Sequence, residues 1–228
     1  MNLRVFDTTD ELIKAAARTL MQRIEAGART IALSGGNTPK PLYELLGREK
    51  LPDITWVVVD ERYVPIDDPQ SNAGMIQKTL KPAKLLRFKT ELGDPQKTAG
   101  EFEHEWRSLN IARLDVALLG MGDDGHTASL FPGTDVLAIE DRIAAAVFVP
   151  RMNQWRVTLT KPVLRAAQLR MVLAAGASKR PILQQVSAGA EYPIALVTSG
   201  VDTWWFVDRE AAGDSLTTER TKGTENKP

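Results

Sequence analysis

Three apolar runs of strand length in this chain each end on a glycine-containing turn loaded with polar groups. Thr30-Ile31-Ala32-Leu33 leads into Ser34-Gly35-Gly36-Asn37-Thr38-Pro39. Leu114 to Leu119 leads into Gly120-Met121-Gly122-Asp123-Asp124-Gly125-His126, and Arg170 to Ala174 leads into Gly176-Ala177-Ser178-Lys179. Continuous apolar runs suit strands buried on both faces, and such strands belong to parallel sheets covered by crossover helices. Counting the other apolar runs, roughly seven βα-like units are expected, with no internal repeat and no linker to mark a boundary. The fold expected is therefore α/β: a single doubly wound, mostly parallel sheet over residues 1–212. In open sheets of this kind ligands bind beyond the carboxyl ends of the strands.

The local signals fill in this frame. Thr8 and Glu11 have capping-box spacing, and Leu12, Ile13, Ala16, Ala17, Leu20 and Ile24 then recur at helical spacing up to Gly27. Thr38 suits an N-cap and Pro39 a first helical position, for a helix running to Leu46. Ile54 to Val59 reads as a strand ending on Asp60-Glu61-Arg62, where Asp60 and Arg62 share a face. Ser71 or Asn72 caps a helix through Leu80, and a polar helix is expected from Pro95 to about Asn110. Ala145 to Val149 reads as a strand, and Val157 to Thr160 as an antiparallel edge strand. Pro193 to Val197 and Thr203 to Val207 read as the last strands, with Trp204 and Trp205 in core or rim packing. From Gly213 the chain turns polar, and residues 213–228 are expected to be a disordered tail.

Composition narrows the chemistry. Lys and Arg number 29 and so do Asp and Glu, so no global charge favours nucleic acid or a membrane surface. An anionic ligand would have to be met by a local cluster of basic groups. There is no cysteine, which removes disulfides, thiolate metal ligands and a thiol nucleophile. Residues 1–7 lack the apolar core of a signal peptide and no apolar run approaches the length of a membrane span, so a cytoplasmic protein is expected.

Five strand ends carry polar groups: Ser34 to Thr38, Asp60 with Arg62, Asp124 with His126, Arg151, and Lys179. Of the two histidines, His104 lies among Glu101, Glu103 and Glu105 in a solvated helix, which leaves His126 for proton transfer. The glycine loop is neither a Walker loop nor a dinucleotide fingerprint, but a turn of this kind into a helix N-terminus suits an anion. A cation at Lys179, at the head of a helix, opposes the dipole unless an anion lies between them. These residues point to a phosphorylated small molecule, and leave the reaction open.

Ser34-Gly35-Gly36-Asn37-Thr38-Pro39, Asp60-Glu61-Arg62-Tyr63-Val64-Pro65 with Ser71-Asn72, and the long motif Gly120 to Gly133 resemble, in order and spacing, the motifs of the 6-phosphogluconolactonases. The likeness spans about residues 1–208. It implies a modified Rossmann-like sheet related to glucosamine-6-phosphate deaminase and ribose-5-phosphate isomerase. It further implies hydrolysis of a sugar phosphate lactone in the oxidative pentose phosphate pathway, with no metal or organic cofactor, no nucleic-acid or membrane partner, and a monomer or weak homodimer. His126 resembles the family's general base, Asp124 its orienting carboxylate and Arg62 the arginine near the lactone. Asp60 either joins the catalytic set or anchors Arg62. Ser34, Gly35, Gly36, Asn37, Thr38 and Asn72, with Arg151 and Lys179, match positions that bind substrate and its phosphate. A deaminase of the same superfamily would carry a ring-opening glutamate where this chain has Phe131. A silent sugar-phosphate sensor would carry a DNA-binding segment, and none is seen in the sequence.

Overall fold

Seven strands pair in parallel to build the central sheet of the computed structural model, which describes residues 1–216. Their order is β1 (Asn2–Phe6), β10 (Thr203–Asp208), β9 (Leu169–Ala174), β6 (Val116–Gly120), β2 (Thr30–Leu33), β3 (Thr55–Val58) and β5 (Leu85–Leu86). From β2 the chain winds outward through β3 and β5, then returns to the other side of β2 as β6 and winds outward again through β9 and β10. The winding direction reverses between β2 and β6, and that is where a doubly wound sheet opens a crevice at its carboxyl edge. Helices α1 (Thr9–Glu25), α2 (Lys40–Leu46), α3 (Asn72–Thr79), α4 (Pro95–Ser108), α5 (Lys161–Ala166), α6 (Arg180–Ser187), α7 (Pro193–Thr198) and α8 (Arg209–Leu216) flank the sheet. None of these is long and apolar enough to cross a membrane.

A second, three-stranded antiparallel sheet runs β4 (Asp60–Arg62), β8 (Gln154–Leu159), β7 (Ala144–Val149). One residue joins the two sheets. The Val59 N–H donates to Leu33 O of β2 (3.0 Å), while the Val59 carbonyl accepts from Leu159 N of β8 (2.8 Å). The strand expected from Ile54 through Val59 thus leaves the large sheet at Val59, and its charged end becomes an edge strand of the small one.

Several expectations need correction. Pro193 to Val197 is helix α7 and not a strand. A short apolar run fits a buried helix as well as a buried strand, and Pro193 sits comfortably in a first helical turn. The strand around Val157 begins earlier, at Gln154, and lies in the middle of the small sheet, not at an edge of the large one. Helix α2 starts at Lys40 with Pro39 as its N-cap, and Thr38 makes no capping hydrogen bond. Strands β1 and β5 were not anticipated, since one is a half-buried edge strand and the other only two residues long. Of the tryptophan pair, Trp205 is core and Trp204 lies at the rim beneath Arg4, whose guanidinium is 3.8 Å from the ring centroid. Helix α8 continues past the expected boundary at residue 212 to Leu216, with a break at Gly213. The remainder of the expected tail, 217–228, lies outside the described residues.

Candidate active site

The crevice at the switch point is a cleft of about 290 Å³. Its walls are the turn after β2 (Ser34 to Pro39), the turn after β6 (Gly120 to Gly122 and His126 to Ala128), and Asp60, Arg62 and Arg156 of the small sheet. Asn72, Leu173 and Lys179 complete it. Ten of the twelve expected site residues therefore meet here: Ser34, Gly35, Gly36, Asn37, Thr38, Asp60, Arg62, Asn72, His126 and Lys179. The other two, Asp124 and Arg151, stand behind the wall. Arg151 pairs with Asp124 Oδ2 (2.6 Å). It sits in the tight turn Pro150–Met152 at the tip of the β7–β8 hairpin, and that turn carries its guanidinium to the carboxylate rather than into the cleft.

His126 is set by a tight loop. The Gly122 N–H donates to His126 O (2.8 Å) and the Gly125 N–H to Gly122 O (3.1 Å), folding the ring over Gly122. A Cβ at residue 122 would lie 2.0 Å from His126 Nδ1 and 2.7 Å from Asp124 Oδ1, so only glycine leaves room for the pair. Asp124 Oδ1 meets His126 Nδ1 at 2.5 Å and also accepts from the His126 backbone N–H at 3.1 Å. Because an ionised carboxylate only accepts, Nδ1 is assigned the proton and Nε2 is left with a free lone pair. Burial alone would raise the Asp124 carboxyl, but the His126 hydrogen bonds and charge, with Arg151, hold it below its usual range. Its contribution to stability is therefore complete above the ordinary carboxylate pKa and is lost as pH falls through the depressed value. The Phe131 ring stacks on the far side of the imidazole, with centroids 4.2 Å apart.

The rest of the long motif anchors this loop. Thr127 Oγ1 donates to Gly120 O (2.8 Å), and Ser129 Oγ donates to Asp60 Oδ2 (2.6 Å). The Ser129 N–H donates to Thr158 Oγ1 (3.2 Å), fixing the motif to the small sheet. Asp60 is buried, and its backbone carbonyl and Oδ1 also accept from Asn72 Nδ2, at 2.7 and 3.4 Å. Asn72 in turn fills the space over Gly35, where a Cβ would lie 1.8 Å from Asn72 Oδ1.

Glu61, on the opposite face of β4, is 1% exposed and caps helix α3. Its Oε1 accepts from the N–H groups of Arg62 (2.8 Å) and Asn72 (2.7 Å), and Oε2 from Ala73 N (2.8 Å) and Ser71 Oγ (3.0 Å). Burial pushes this carboxyl above its usual range against the pull of those four donors. Glu61→Gln would set an amide NH₂ against donors, and should cost about 2–4 kcal/mol of stability in chemical denaturation. Since the folded carboxyl binds its proton more tightly than the unfolded one, wild-type stability should fall as pH rises from about 4.5 through the raised value. The glutamine variant should lack that slope; an unchanged slope would remove Glu61 as its source.

The basic side of the cleft includes a residue that the sequence reading missed. Arg156 of β8 lies opposite Arg62 of β4 in register and lines the cleft, 8% exposed. Burial, and then Arg62 and Arg151, lower its pKa against the pull of Asp60 and Glu61. Among the described residues, three buried side-chain atoms have no hydrogen-bond partner: Ser34 Oγ, Arg62 Nε and Arg156 Nε. All three belong to cleft residues, and unsatisfied buried donors are costly unless something fills them. Lys179 comes from a turn held by Asp208, whose carboxylate accepts from Gly176 N at 3.0 Å, and it pairs with Asp123 Oδ1 at 2.5 Å. The signal for Arg156 was a cation alternating with apolar residues in the strand Gln154–Leu159.

Comparison with known proteins identifies the family. Residues 7–205 match the model of the family "Glucosamine-6-phosphate isomerases/6-phosphogluconolactonase". A 6-phosphogluconolactonase of Synechocystis is 36% identical over 90% of this chain and 92% of its own length. "6-phosphogluconolactonase 4" of Saccharomyces cerevisiae is 30% identical over 92% and 96%. Among solved structures, 6-phosphogluconolactonase from Trypanosoma cruzi superposes with a TM-score of 0.84 at 29% identity, covering 92% of this chain and 95% of that one. A monomeric glucosamine-6-phosphate deaminase, 24% identical with a TM-score of 0.82, shares the fold. The chain belongs to the glucosamine-6-phosphate isomerase/6-phosphogluconolactonase family.

Proposed function

We propose that this protein hydrolyses 6-phospho-D-glucono-1,5-lactone to 6-phosphogluconate, the lactone-opening step of the oxidative pentose phosphate pathway. The observation that carries the reading is one cleft holding both a carboxylate-oriented imidazole and three unpartnered buried donors on Ser34, Arg62 and Arg156. His126 Nε2 takes a proton from water as its oxygen attacks the lactone carbonyl. Arg62 stabilises the tetrahedral oxyanion. The imidazolium then returns the proton to the departing ring oxygen, leaving a hydroxyl and a carboxylic acid, which ionises and releases the second water proton to solvent. Asp124 keeps the imidazole in the required tautomer, and Arg151 acts through Asp124. The turn Ser34 to Thr38, with Arg156 and Lys179, holds the phosphate. The names of the relatives, lactonases of similar length, support the same reaction.

Two features favour this over a deaminase or isomerase reaction. Phe131 lies against the imidazole and offers no carboxylate for ring opening. Asp60, the candidate for proton abstraction, already accepts from Ser129 and Asn72, which suits an anchoring role.

The test is proton release from freshly generated phosphogluconolactone, with spontaneous opening subtracted and unphosphorylated gluconolactone as control. Rapid hydrolysis that depends on the phosphate is expected; no acceleration by wild-type protein would overturn the reading. In the same assay Lys179→Ala should raise KM about tenfold or more and leave kcat within about threefold, as expected for lost substrate binding. A fall in kcat alone would move Lys179 out of phosphate binding.

A further inference from the structure

We infer that Met152 is an oxidation-sensitive site: its sulfoxide would capture the Arg156 guanidinium and weaken anion binding in the cleft. The inference rests on the proposed phosphate-binding role of Arg156. The only hydrogen bond of that guanidinium among the described residues runs from Nη2 to Met152 Sδ, at 3.2 Å, while Nε has none. A thioether sulfur is a weak acceptor, so Met152 steadies the guanidinium without neutralising it or competing strongly with a ligand. Met152 is 42% exposed at the tip of the β7–β8 hairpin, open to solvent on one side and touching a cleft residue on the other. Of the other five methionines only Met1 is comparably exposed, at 53%, while Met121 and Met171 are buried and Met21 and Met75 half-buried.

The chemistry needs a peroxide. The Met152 thioether attacks one peroxide oxygen, the O–O bond breaks, and an S–O bond forms. Sulfur loses two electrons, and the other peroxide oxygen leaves as water. The product is polar where the thioether was apolar, and reductases that return the sulfoxide to the thioether exist as a class. The sulfoxide oxygen is a strong acceptor, placed one bond beyond a sulfur already within reach of Nη2. It would hold the guanidinium to the hairpin tip and oppose its turning onto a phosphate.

The experiment treats the full chain with dilute hydrogen peroxide until mass spectrometry of peptides shows Met152 converted. Affinity for inorganic phosphate is then measured by calorimetry, beside KM for the phosphorylated lactone. Against its own untreated baseline, wild type should lose about tenfold or more in phosphate affinity, the scale of a competing hydrogen bond to a charged group. KM should rise in parallel with kcat little changed, and methionine sulfoxide reductase should reverse both effects. Met152→Leu, which cannot be oxidised, should show no peroxide effect, and Met152→Gln should reproduce the oxidised state without peroxide. Unchanged phosphate affinity after full conversion of Met152 would overturn the proposal. So would an equal loss in Met152→Leu, failure of wild type to bind phosphate, or Met152 oxidising no faster than Met121. Absence of lactone turnover with phosphate affinity still responding to Met152 would instead sink only the lactonase reading.

Discussion

His126→Ala should lower kcat for phosphogluconolactone by about 10³-fold, near the middle of what a positioned general base contributes. Affinity for inorganic phosphate should stay within about twofold of wild type, because the imidazole is not among the groups assigned to the phosphate. Paired initial-rate and calorimetric measurements separate the two effects, and purified protein should keep the wild-type melting temperature to within a few degrees. A variant that turned over at near-wild-type rate would show that another group activates the water. Among the described residues Asp60 is then the one carboxylate lining the cleft, and it is occupied by Ser129 and Asn72.

Gly122→Ala should come second in effect, though residue 122 carries no chemistry of its own. Its φ lies outside the left-handed region, so alanine meets no backbone penalty. The added carbon instead arrives 2.0 Å from His126 Nδ1, and the ring or the Asp124 carboxylate must give way. Misplacing a catalytic group by about 1 Å costs on the order of 10² in rate, and a similar fall in kcat is expected here. Gly100→Ala is the control: a Cβ there meets nothing within 4 Å, inside helix α4. It should leave kcat alone and stabilise the protein by up to about 1 kcal/mol. If Gly122→Ala kept its activity, the imidazole would not need its observed contact with Asp124.

Much of this site could be read from the chain because it is local. A strand that ends in a tight turn announces itself through an apolar run and glycines, and the residues of one turn stay together whatever the rest does. His126 with Asp124, and Ser34 with its glycines, are of that kind. The pairing of Ser71 and the α3 N-terminus with Glu61 spans ten to twelve residues, from a strand to a helix, so in the sequence the capping carboxylate looks only like a charge at a strand end. Arg156 is hidden because the alternation visible in the sequence starts at Val157, one residue after it, while the strand itself starts at Gln154. Arg151 was misplaced for the converse reason. It follows a strand, as the other cleft residues do, but that strand belongs to the antiparallel sheet, and a hairpin tip does not face the crevice. Pro193 to Val197 misled because five apolar residues carry too little periodicity to tell helix from strand.

The crossing at Val59 has a consequence for the size of molecule the cleft accepts. The turn that carries the imidazole follows β6 of one sheet, the two arginines lie on the other, and Val59 is hydrogen-bonded to both sheets. Such a joint works as a fixed calliper. The separation between the end of β6, where the His126 turn begins, and the strand positions of Arg62 and Arg156 is set by backbone hydrogen bonds. Under the proposed function, a phosphorylated lactone one carbon shorter is expected to turn over more slowly than the six-carbon one. A residue inserted at the crossing is expected to shift every cleft side chain of the small sheet at once, whereas a substitution in the cleft moves only its own.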